Sequence, residues 1–205
     1  MNTIYLASGS PRRREILTNL GYTVIRLNAD IDETPHPNEQ AQDYVLRMAC
    51  EKNATALRCW QTQNNQSPEY PILTADTTVA LGSTILGKPE SAEQAKKMLH
   101  QLSDAVHQVL TAVCVYWQDQ TLFTVQQSNV RFKSLTDVEI DAYIANGEPM
   151  DKAGAYGIQG IGGVFVADLQ GSFTGVMGLP VFETVQLLQQ HGLVVPPFSS
   201  PDKAV

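Results

Sequence analysis

The chain has 205 residues, of which 43% are hydrophobic, and a formal net charge of −7. This length and composition predict a single enzyme-sized unit with a substantial core. The negative charge argues against nucleic acid as a partner, because nucleic-acid binding needs a basic surface. No apolar run approaches the roughly 20 residues of a membrane span, and no signal-peptide pattern occurs. We therefore expect a soluble, cytoplasmic protein without a membrane partner.

The first chemical feature is a short turn between a strand and a helix. Residues 4–7 form an apolar run that predicts a buried strand, and the Ser8-Gly9-Ser10 sequence after them predicts a tight loop. Ser10 and Pro11 suit the N-cap and first position of a helix that ends at Gly21. The chain is therefore predicted to begin as strand, loop and helix.

This turn carries two arginines, Arg12 and Arg13. The start of a helix directs free N–H groups and the positive end of the helix dipole toward one point, which favours an anion. A guanidinium can also bind two phosphate oxygens at once. The alternative is an ordinary capped helix with a solvated basic first turn. On these residues alone, phosphate binding and this simpler interpretation both remain open.

A second strand is predicted for residues 22–27, and an acidic loop that contains Glu33 follows it. Such a loop is most often a solvated turn, so composition alone gives Glu33 a weak claim to function. The next helix, about Gln40 to Leu57, has an apolar stripe whose spacing continues to Lys52. Either the lysine stem lies along the edge of the stripe, or its ammonium reaches an anion. Residues 60–71 are predicted to form a surface loop.

The strongest single candidate for chemistry is Asp76, near the middle of an apolar strand pattern over residues 72–81. An unpaired carboxylate in a buried strand is costly, so Asp76 should be hydrogen-bonded, paired with a cation or bound to a metal. Gly82-Ser83 predicts a hairpin turn into residues 84–86. Gly87-Lys88-Pro89 then forms a rigid loop that presents one more cation.

The rest of the chain predicts a mixed sheet, because its strands neighbour other strands. His107 is interpreted as a surface or loop histidine. The predicted elements are a capped helix from Ser91 to Leu102, a hairpin over 108–117 and 121–132, a helix from Thr136 to about Gly147, a glycine-rich stretch over 151–163 and a helix over 181–191. We expect one domain over residues 1–193 and a disordered tail over 194–205.

These parts fit an enzyme that binds a polyphosphate and directs water at it. The two arginines of the first turn, together with Lys52 and Lys88, would neutralise phosphate charge. Asp76, alone or with Glu33, would hold Mg²⁺ or would orient and deprotonate the attacking water. The sequence contains no GxxxxGK[ST], no nucleophile elbow and no HExxH. Hydrolysis of a phosphoanhydride therefore fits best.

Five motifs in this order resemble the Maf family of nucleoside triphosphate pyrophosphatases, over nearly the whole chain to about Leu193. They are Ser8-Gly9-Ser10-Pro11-Arg12-Arg13, Ala75-Asp76-Thr77, Gly87-Lys88-Pro89, Lys152-Ala153-Gly154-Ala155-Tyr156-Gly157-Ile158-Gln159-Gly160 and Gly178-Leu179-Pro180. Any one of them would be a weak signal, whereas several in one order are highly specific.

The resemblance implies an α/β fold in which a mixed sheet and flanking helices form two lobes around a central cleft, similar to the inosine triphosphate pyrophosphatases. It also implies a homodimer and a divalent cation, Mg²⁺ or Mn²⁺, in cleavage between the α and β phosphates. The residue matching Asp76 is the family's proposed proton acceptor, and from their chemistry we expect Asp76 and Glu33 to hold the metal. The residues implied to bind the substrate are Ser8, Arg12, Arg13, Lys52, Thr77, Lys88 and Gln159, and Arg12, Thr77 and Gln159 are associated with substrate choice.

The intact stretch from Lys152 to Gly160 resembles the branch of the family that acts on dTTP and UTP. Two alternatives stay open. One is another specificity, for 7-methyl-GTP or for modified pyrimidine nucleotides. The other is a regulator of cell division that binds a nucleotide without turnover.

Overall fold

The computed structural model describes residues 2–196 of the chain. Its strands are β1 (Thr3–Leu6), β2 (Thr23–Arg26), β3 (Ile72–Leu81), β4 (Thr84–Leu86), β5 (Val106–Trp117), β6 (Gln120–Phe132) and β7 (Val166–Gln170). Its helices are α1 (Pro11–Asn19), α2 (Ala41–Asn64), α3 (Ala92–Leu102), α4 (Asp137–Ala145), α5 (Phe173–Met177) and α6 (Val181–Gln190). Three short 3₁₀ turns cover Glu148–Asp151, Ala153–Ala155 and Ile161–Phe165.

All seven strands form one mixed sheet, in the order β2-β1-β3-β5-β6-β7, with β4 beside β3. β1 runs parallel to β2 and to β3. The pairs β3–β5, β5–β6 and β6–β7 are antiparallel. The predicted α/β fold with a mixed sheet and flanking helices is therefore confirmed.

One edge of β3 is shared by two short strands. β5 pairs with β3 from Ile72 to Ala80, which occupies the other edge. On the shared edge, β1 pairs only as far as Leu73, and β4 pairs only from Val79 onward. Within the described residues, no strand pairs with residues 74–78 on this edge. The sheet is open there, and Asp76 lies at the middle of the opening.

The two faces of β3 pack against different helices, because successive strand residues point to opposite sides. Leu73 packs with apolar residues of α1 and α6, and further along the same face Val79 packs with residues of α3 and α4. On the opposite face, Ala80 packs against α2. The apolar core thus consists of separate clusters along β3. The opening in the sheet lies between the cluster that contains Leu73 and the cluster that contains Val79.

Several local predictions are confirmed. Residues 72–81 form the predicted strand, and Gly82, with φ of 59°, turns it into β4. Thr136 and Glu139 form a capping box at the start of α4, in which both reciprocal hydrogen bonds are present. Ser91 accepts a hydrogen bond from the Gln94 N–H at the start of α3, as a capping residue should.

The loop predicted for residues 60–71 begins later than expected, because α2 continues to Asn64. The indole of Trp60 packs on the ring of Tyr5, with ring centroids 4.5 Å apart, so this extra turn has an apolar face to bury. Asn65, with φ of 50°, ends the helix in the left-handed conformation. The prediction relied on polar composition and missed this tertiary contact.

The interpretation of His107 as a surface or loop residue is wrong. His107 belongs to β5 and is only 1% exposed. Its Nε2 lies 2.8 Å from the hydroxyl of Tyr156, and its ring meets the ring of Phe132 edge-on. Burial lowers the pKa of His107 to about 4. The side chain is therefore neutral at pH 7 and belongs to the core.

The predicted tail lies mostly outside the described residues, which end at Pro196. Val195 is buried, and the hydroxyl of Tyr22 donates a hydrogen bond to the Val194 carbonyl at 3.4 Å. Within residues 2–196, every helix is too short or too polar to cross a membrane.

We predict that His107 makes stability depend on pH. An unfolded histidine has a pKa near 6.5, so between about pH 6.5 and 4 the unfolded chain binds a proton that the native chain does not. The free energy of unfolding should fall with decreasing pH in this window, by up to about 1.4 kcal/mol per pH unit. Urea unfolding at pH 7 and pH 5 measures the slope. His107→Gln should flatten it, whereas the exposed-site control His36→Gln should keep the wild-type slope.

Candidate active site

The opening in the sheet leads into a cleft with a volume of about 860 Å³. The turn after β1 forms one part of its wall, and the loop before α2 forms another. The middle of β3, the Gly87-Lys88 loop and the glycine-rich stretch near Tyr156 complete it. Its lining includes Ser8, Arg12, Arg13, Glu33, Lys52, Asp76, Thr77 and Lys88.

Asp76 and Glu33 meet at one ammonium group. Lys52 Nζ lies 2.7 Å from Asp76 Oδ1 and 2.6 Å from Glu33 Oε1. The side chains of Lys52 and Asp76 are 12% and 13% exposed. Burial opposes the ionisation of Glu33, but the hydrogen bond and charge of Lys52 outweigh it and hold the pKa of Glu33 below its ordinary value. The ammonium of Lys52 therefore holds two carboxylates at the opening of the sheet.

The loop that carries Glu33 is fastened to α2. The hydroxyl of Tyr44 donates to the Glu33 carbonyl at 2.9 Å, and Arg47 Nη2 donates to the Thr34 carbonyl at 3.1 Å. Arg47 also binds both oxygens of Glu39, at 2.6 and 2.7 Å. Neither Tyr44 nor Arg47 was identified from the sequence as part of the site. Their hydrogen bonds cross a loop, so helical spacing gave no signal for them.

Arg13 joins three segments around the cleft. Its Nε donates to the Gly178 carbonyl at 2.7 Å, Nη1 to Ser8 Oγ at 3.0 Å and Nη2 to Thr77 Oγ1 at 3.0 Å. A guanidinium has five N–H groups, so two remain for another acceptor. Arg13 is only 9% exposed, and burial lowers its pKa against the opposing effect of Asp76 and Glu33. In the described chain no carboxylate forms an ion pair with it.

Thr77 belongs to a directed chain of hydrogen bonds. Thr111 Oγ1 donates to the Gly175 carbonyl at 2.8 Å, which uses its one hydroxyl proton. Thr77 Oγ1 lies 2.9 Å from Thr111 Oγ1, so Thr77 must be the donor of that pair. The free lone pairs of Thr77 accept from Arg13. This chain fixes the guanidinium of Arg13 relative to β3 and β5.

Arg12, Arg26 and Lys88 line the cleft and are the cations available to a ligand. In the part of the chain that the structure describes, none of these three side chains forms a hydrogen bond or an ion pair. Arg12 is half-buried in the first turn of α1, and Lys88 is exposed. Lys152, which also lines the cleft, is paired with Asp151. An anion in the cleft would therefore meet three cations that have no partner among residues 2–196, and the two remaining N–H groups of Arg13.

The structure brings together every predicted site residue except Gln159. That side chain is exposed and does not line the cleft, although its neighbours Gly157 and Ile158 do. The predicted role of Gln159 in substrate binding remains a prediction.

Comparison with known proteins identifies the class. The family model of Maf-like proteins matches residues 3–191, and the chain belongs to this family. The chain is 53% identical to the dTTP/UTP pyrophosphatase of Neisseria meningitidis serogroup A, over 97% of this chain and 98% of that protein. It is 56% identical to the dTTP/UTP pyrophosphatase of Pasteurella multocida, over 92% of this chain and 96% of that protein. It is 55% identical to the nucleoside triphosphate pyrophosphatase of Haemophilus ducreyi, over 95% of this chain and 98% of that protein.

Among solved structures, the Staphylococcus aureus Ham1 protein matches 63% of this chain and 71% of its own, with 16% identity and a TM-score of 0.42. A similarity this low supports no inference about the site.

We predict that inorganic pyrophosphate stabilises the protein through this cleft. A ligand at one hundred times its Kd adds about 2.7 kcal/mol, which raises Tm by roughly 5–10 °C in a chain of this size. Thermal unfolding with and without pyrophosphate measures the shift. Arg12→Met should reduce it, because the variant removes an unpaired cation. The control Arg58→Met, on the exposed surface of α2, should show the wild-type shift, and equal shifts in both variants would contradict the assignment of Arg12.

Proposed function

We propose that the protein hydrolyses dTTP and UTP to the nucleoside monophosphate and pyrophosphate. The named activities of relatives that match it almost end to end support this proposal. Within the chain, one observation carries it: the carboxylate of Asp76 lies in a cleft that also presents Arg12 and Lys88 without partners. A site with one positioned base and surplus positive charge suits a polyphosphate and an attacking water.

In this proposal Asp76 accepts the proton of the attacking water. Lys52 holds one carboxylate oxygen, Oδ1, at 2.7 Å, which fixes the orientation of the group and leaves Oδ2 for the water. Because the side chain is 13% exposed, it is accessible from the cleft yet largely shielded from bulk solvent. A general base placed in this way typically contributes about 10²–10⁴-fold in rate.

The basic side chains act on the phosphates. Cleavage between the α and β phosphates leaves negative charge on the departing pyrophosphate, and fixed cations near it lower the barrier. Arg12 and Lys88 are free to make these contacts, whereas Arg13 is held in place by three protein acceptors and offers only its two remaining N–H groups. Ser8 accepts from Arg13 and from the Ser10 N–H, at 3.0 and 3.2 Å, and so shapes the turn beneath the phosphates.

Glu33 and Asp76 are the residues that would hold Mg²⁺ or Mn²⁺. Both offer the oxygen donors that such cations prefer, and both line the cleft. Among residues 2–196 no group of three or more His, Cys, Asp or Glu side chains could hold an ion. The donor set therefore fits a metal that takes its other ligands from substrate phosphates and water, as Mg²⁺ commonly does. Such a cation would neutralise phosphate charge and lower the pKa of a bound water.

The proposal extends to the setting of the enzyme. We infer that it works as a homodimer in the cytoplasm, without a nucleic-acid or membrane partner. The family resemblance supports the dimer, and the net charge of −7 disfavours binding to polyanionic nucleic acid.

The products test the chemistry. Purified protein with Mg²⁺ should release the nucleoside monophosphate and pyrophosphate from dTTP, as measured by anion-exchange chromatography in the absence of added pyrophosphatase. Orthophosphate with the nucleoside diphosphate as primary products would refute cleavage between the α and β phosphates. Binding of dTTP without any product would instead favour the nucleotide-binding regulator.

Asp76→Asn tests the proposed base. The amide keeps the shape of the side chain but is a poor proton acceptor, so kcat should fall about 10²–10⁴-fold. The control is Asp141→Asn, which alters a carboxylate that also pairs with a lysine, Lys96, at 2.6 Å but lies on the surface. The control should keep wild-type kcat. A wild-type kcat in Asp76→Asn would show that Asp76 is only a structural residue of the strand.

A panel of nucleotides tests specificity. UTP and dTTP share the base edge that carries two carbonyl groups and one N–H, so kcat/KM should be similar for both and lower for CTP and for purine nucleotides. The added methyl group of thymine should change kcat/KM little. A substrate that leaves a buried polar group of the site unpaired can instead be rejected by about 10⁴-fold in kcat/KM. A preference for 7-methyl-GTP would assign the chain to the alternative specificity and leave the hydrolytic chemistry intact.

A further inference from the structure

We propose that Tyr143 and Glu148 are positioning residues that hold the segment Ile158–Gly160 in the conformation in which it recognises the base. This inference rests on the proposed function and adds to it the part of the chain that sets base selectivity. Neither residue lines the cleft. Both lie behind the glycine-rich stretch, on and just after α4.

The segment is fastened at both ends to this pair. At its start, the Gly157 N–H donates to the hydroxyl of Tyr143 at 3.2 Å. At its end, the Ile161 N–H donates to Glu148 Oε2 at 2.9 Å and the Gly162 N–H donates to Oε1 at 3.2 Å. The Tyr143 hydroxyl in turn donates to Glu148 Oε1 at 2.9 Å. One tyrosine and one carboxylate thus fix the backbone on either side of residues 158–160.

Two glycines show how closely the backbone wraps around this pair. A Cβ at position 160 would lie 2.3 Å from either carboxylate oxygen of Glu148, and a Cβ at position 162 would lie 2.5 Å from the Tyr143 hydroxyl. Real Cβ atoms do not approach other atoms so closely, so a side chain at either position would displace the pair. The glycines of this motif therefore allow close approach of the backbone to Glu148 and Tyr143.

Burial and charge fix the direction of the hydrogen bonds. Tyr143 is 2% exposed, and burial raises the pKa of its phenol, so the group stays a neutral donor. Burial opposes the ionisation of Glu148, but the N–H groups of Ile161 and Gly162 and the hydroxyl of Tyr143 hold its pKa below the ordinary value. Glu148 is therefore an anion that accepts three hydrogen bonds, and hydrogen bonds to a charged acceptor are the stronger kind.

The held segment has one residue with a free backbone donor at the cleft, Ile158. Ile158 lines the cleft beside Tyr156 and Gly157. Neither the Ile158 N–H nor the Gln159 N–H donates a hydrogen bond to any residue between 2 and 196. Uracil and thymine carry a carbonyl oxygen at position 4, where cytosine carries an amino group. A backbone donor fixed at Ile158 would therefore favour uracil and thymine. It would disfavour cytosine, because the amino group of cytosine is itself a donor.

The test compares two matched tyrosine–carboxylate pairs. Tyr143→Phe and Glu148→Gln disrupt the pair behind the segment. Tyr116→Phe and Asp119→Asn are the controls, because the Tyr116 hydroxyl also donates to a carboxylate, Asp119, at 2.9 Å, but at the β5–β6 turn. We expect each test variant to raise KM for UTP and dTTP about 10-fold and to lower the UTP-over-CTP ratio of kcat/KM about 10-fold, as for one lost hydrogen bond. kcat for UTP should change less, and both controls should match wild type.

Hydrogen exchange of the amides of Gly157, Ile161 and Gly162, measured without nucleotide, gives a readout that does not require turnover. These amides should exchange faster in Tyr143→Phe and Glu148→Gln and at the wild-type rate in both controls. Two results would overturn the proposal. One is faster exchange with unchanged KM and base selectivity, because the pair would then be only structural. The other is unchanged exchange in the test variants. If Tyr143→Phe fails to fold, Glu148→Gln carries the same test. A wild-type protein that does not hydrolyse UTP refutes the proposed function separately from this result.

Discussion

The site depends on a single constraint: one edge of β3 is paired by two strands that do not meet. β1 leaves the edge after Leu73 and β4 joins it at Val79, so the backbone between them has no strand neighbour on that side. An isolated carboxylate in the middle of a paired strand would be buried at high cost. At this opening Asp76 is reachable from the cleft, while β5 still supports its strand along the other edge. The short pairings of β1 and β4 thus leave a carboxylate in a central strand accessible from the cleft.

The alternation of strand side chains then divides support of the site between two helices. Asp76 points toward α2, where Lys52 receives it, and Thr77 points to the opposite face, where Arg13 of α1 receives it. The catalytic candidate and the anchor of the arginine turn are therefore adjacent in sequence, yet each is held by a different core. A shift of β3 by one residue would exchange the two faces, so the apolar residues Leu73, Ala75 and Val79 also set the register of the site.

Local patterns predicted most of this fold, and tertiary contacts explain the failures. The strand over 72–81 and the capped start of α4 are set by alternation and by capping residues, which act within a few positions. The convergence of Lys52 and Asp76 could be inferred because a cation and a carboxylate in apolar patterns need partners. His107 was misjudged because its partner, Tyr156, lies 49 residues away. The roles of Tyr44 and Glu148 were missed for the same reason, since each bonds a backbone group that no periodicity identifies.

The charge of the cleft completes the physical picture. The chain as a whole carries −7, yet Arg12 and Lys88 at the cleft have no side-chain partner among residues 2–196, and Arg13 is buried among neutral acceptors. Burial of an arginine without an ion pair is unfavourable, and burial lowers the pKa of Arg13. The opposing carboxylates, Asp76 and Glu33, already share the ammonium of Lys52. A bound anion would supply the missing counter-charge, so this arrangement should gain stability from a negatively charged ligand.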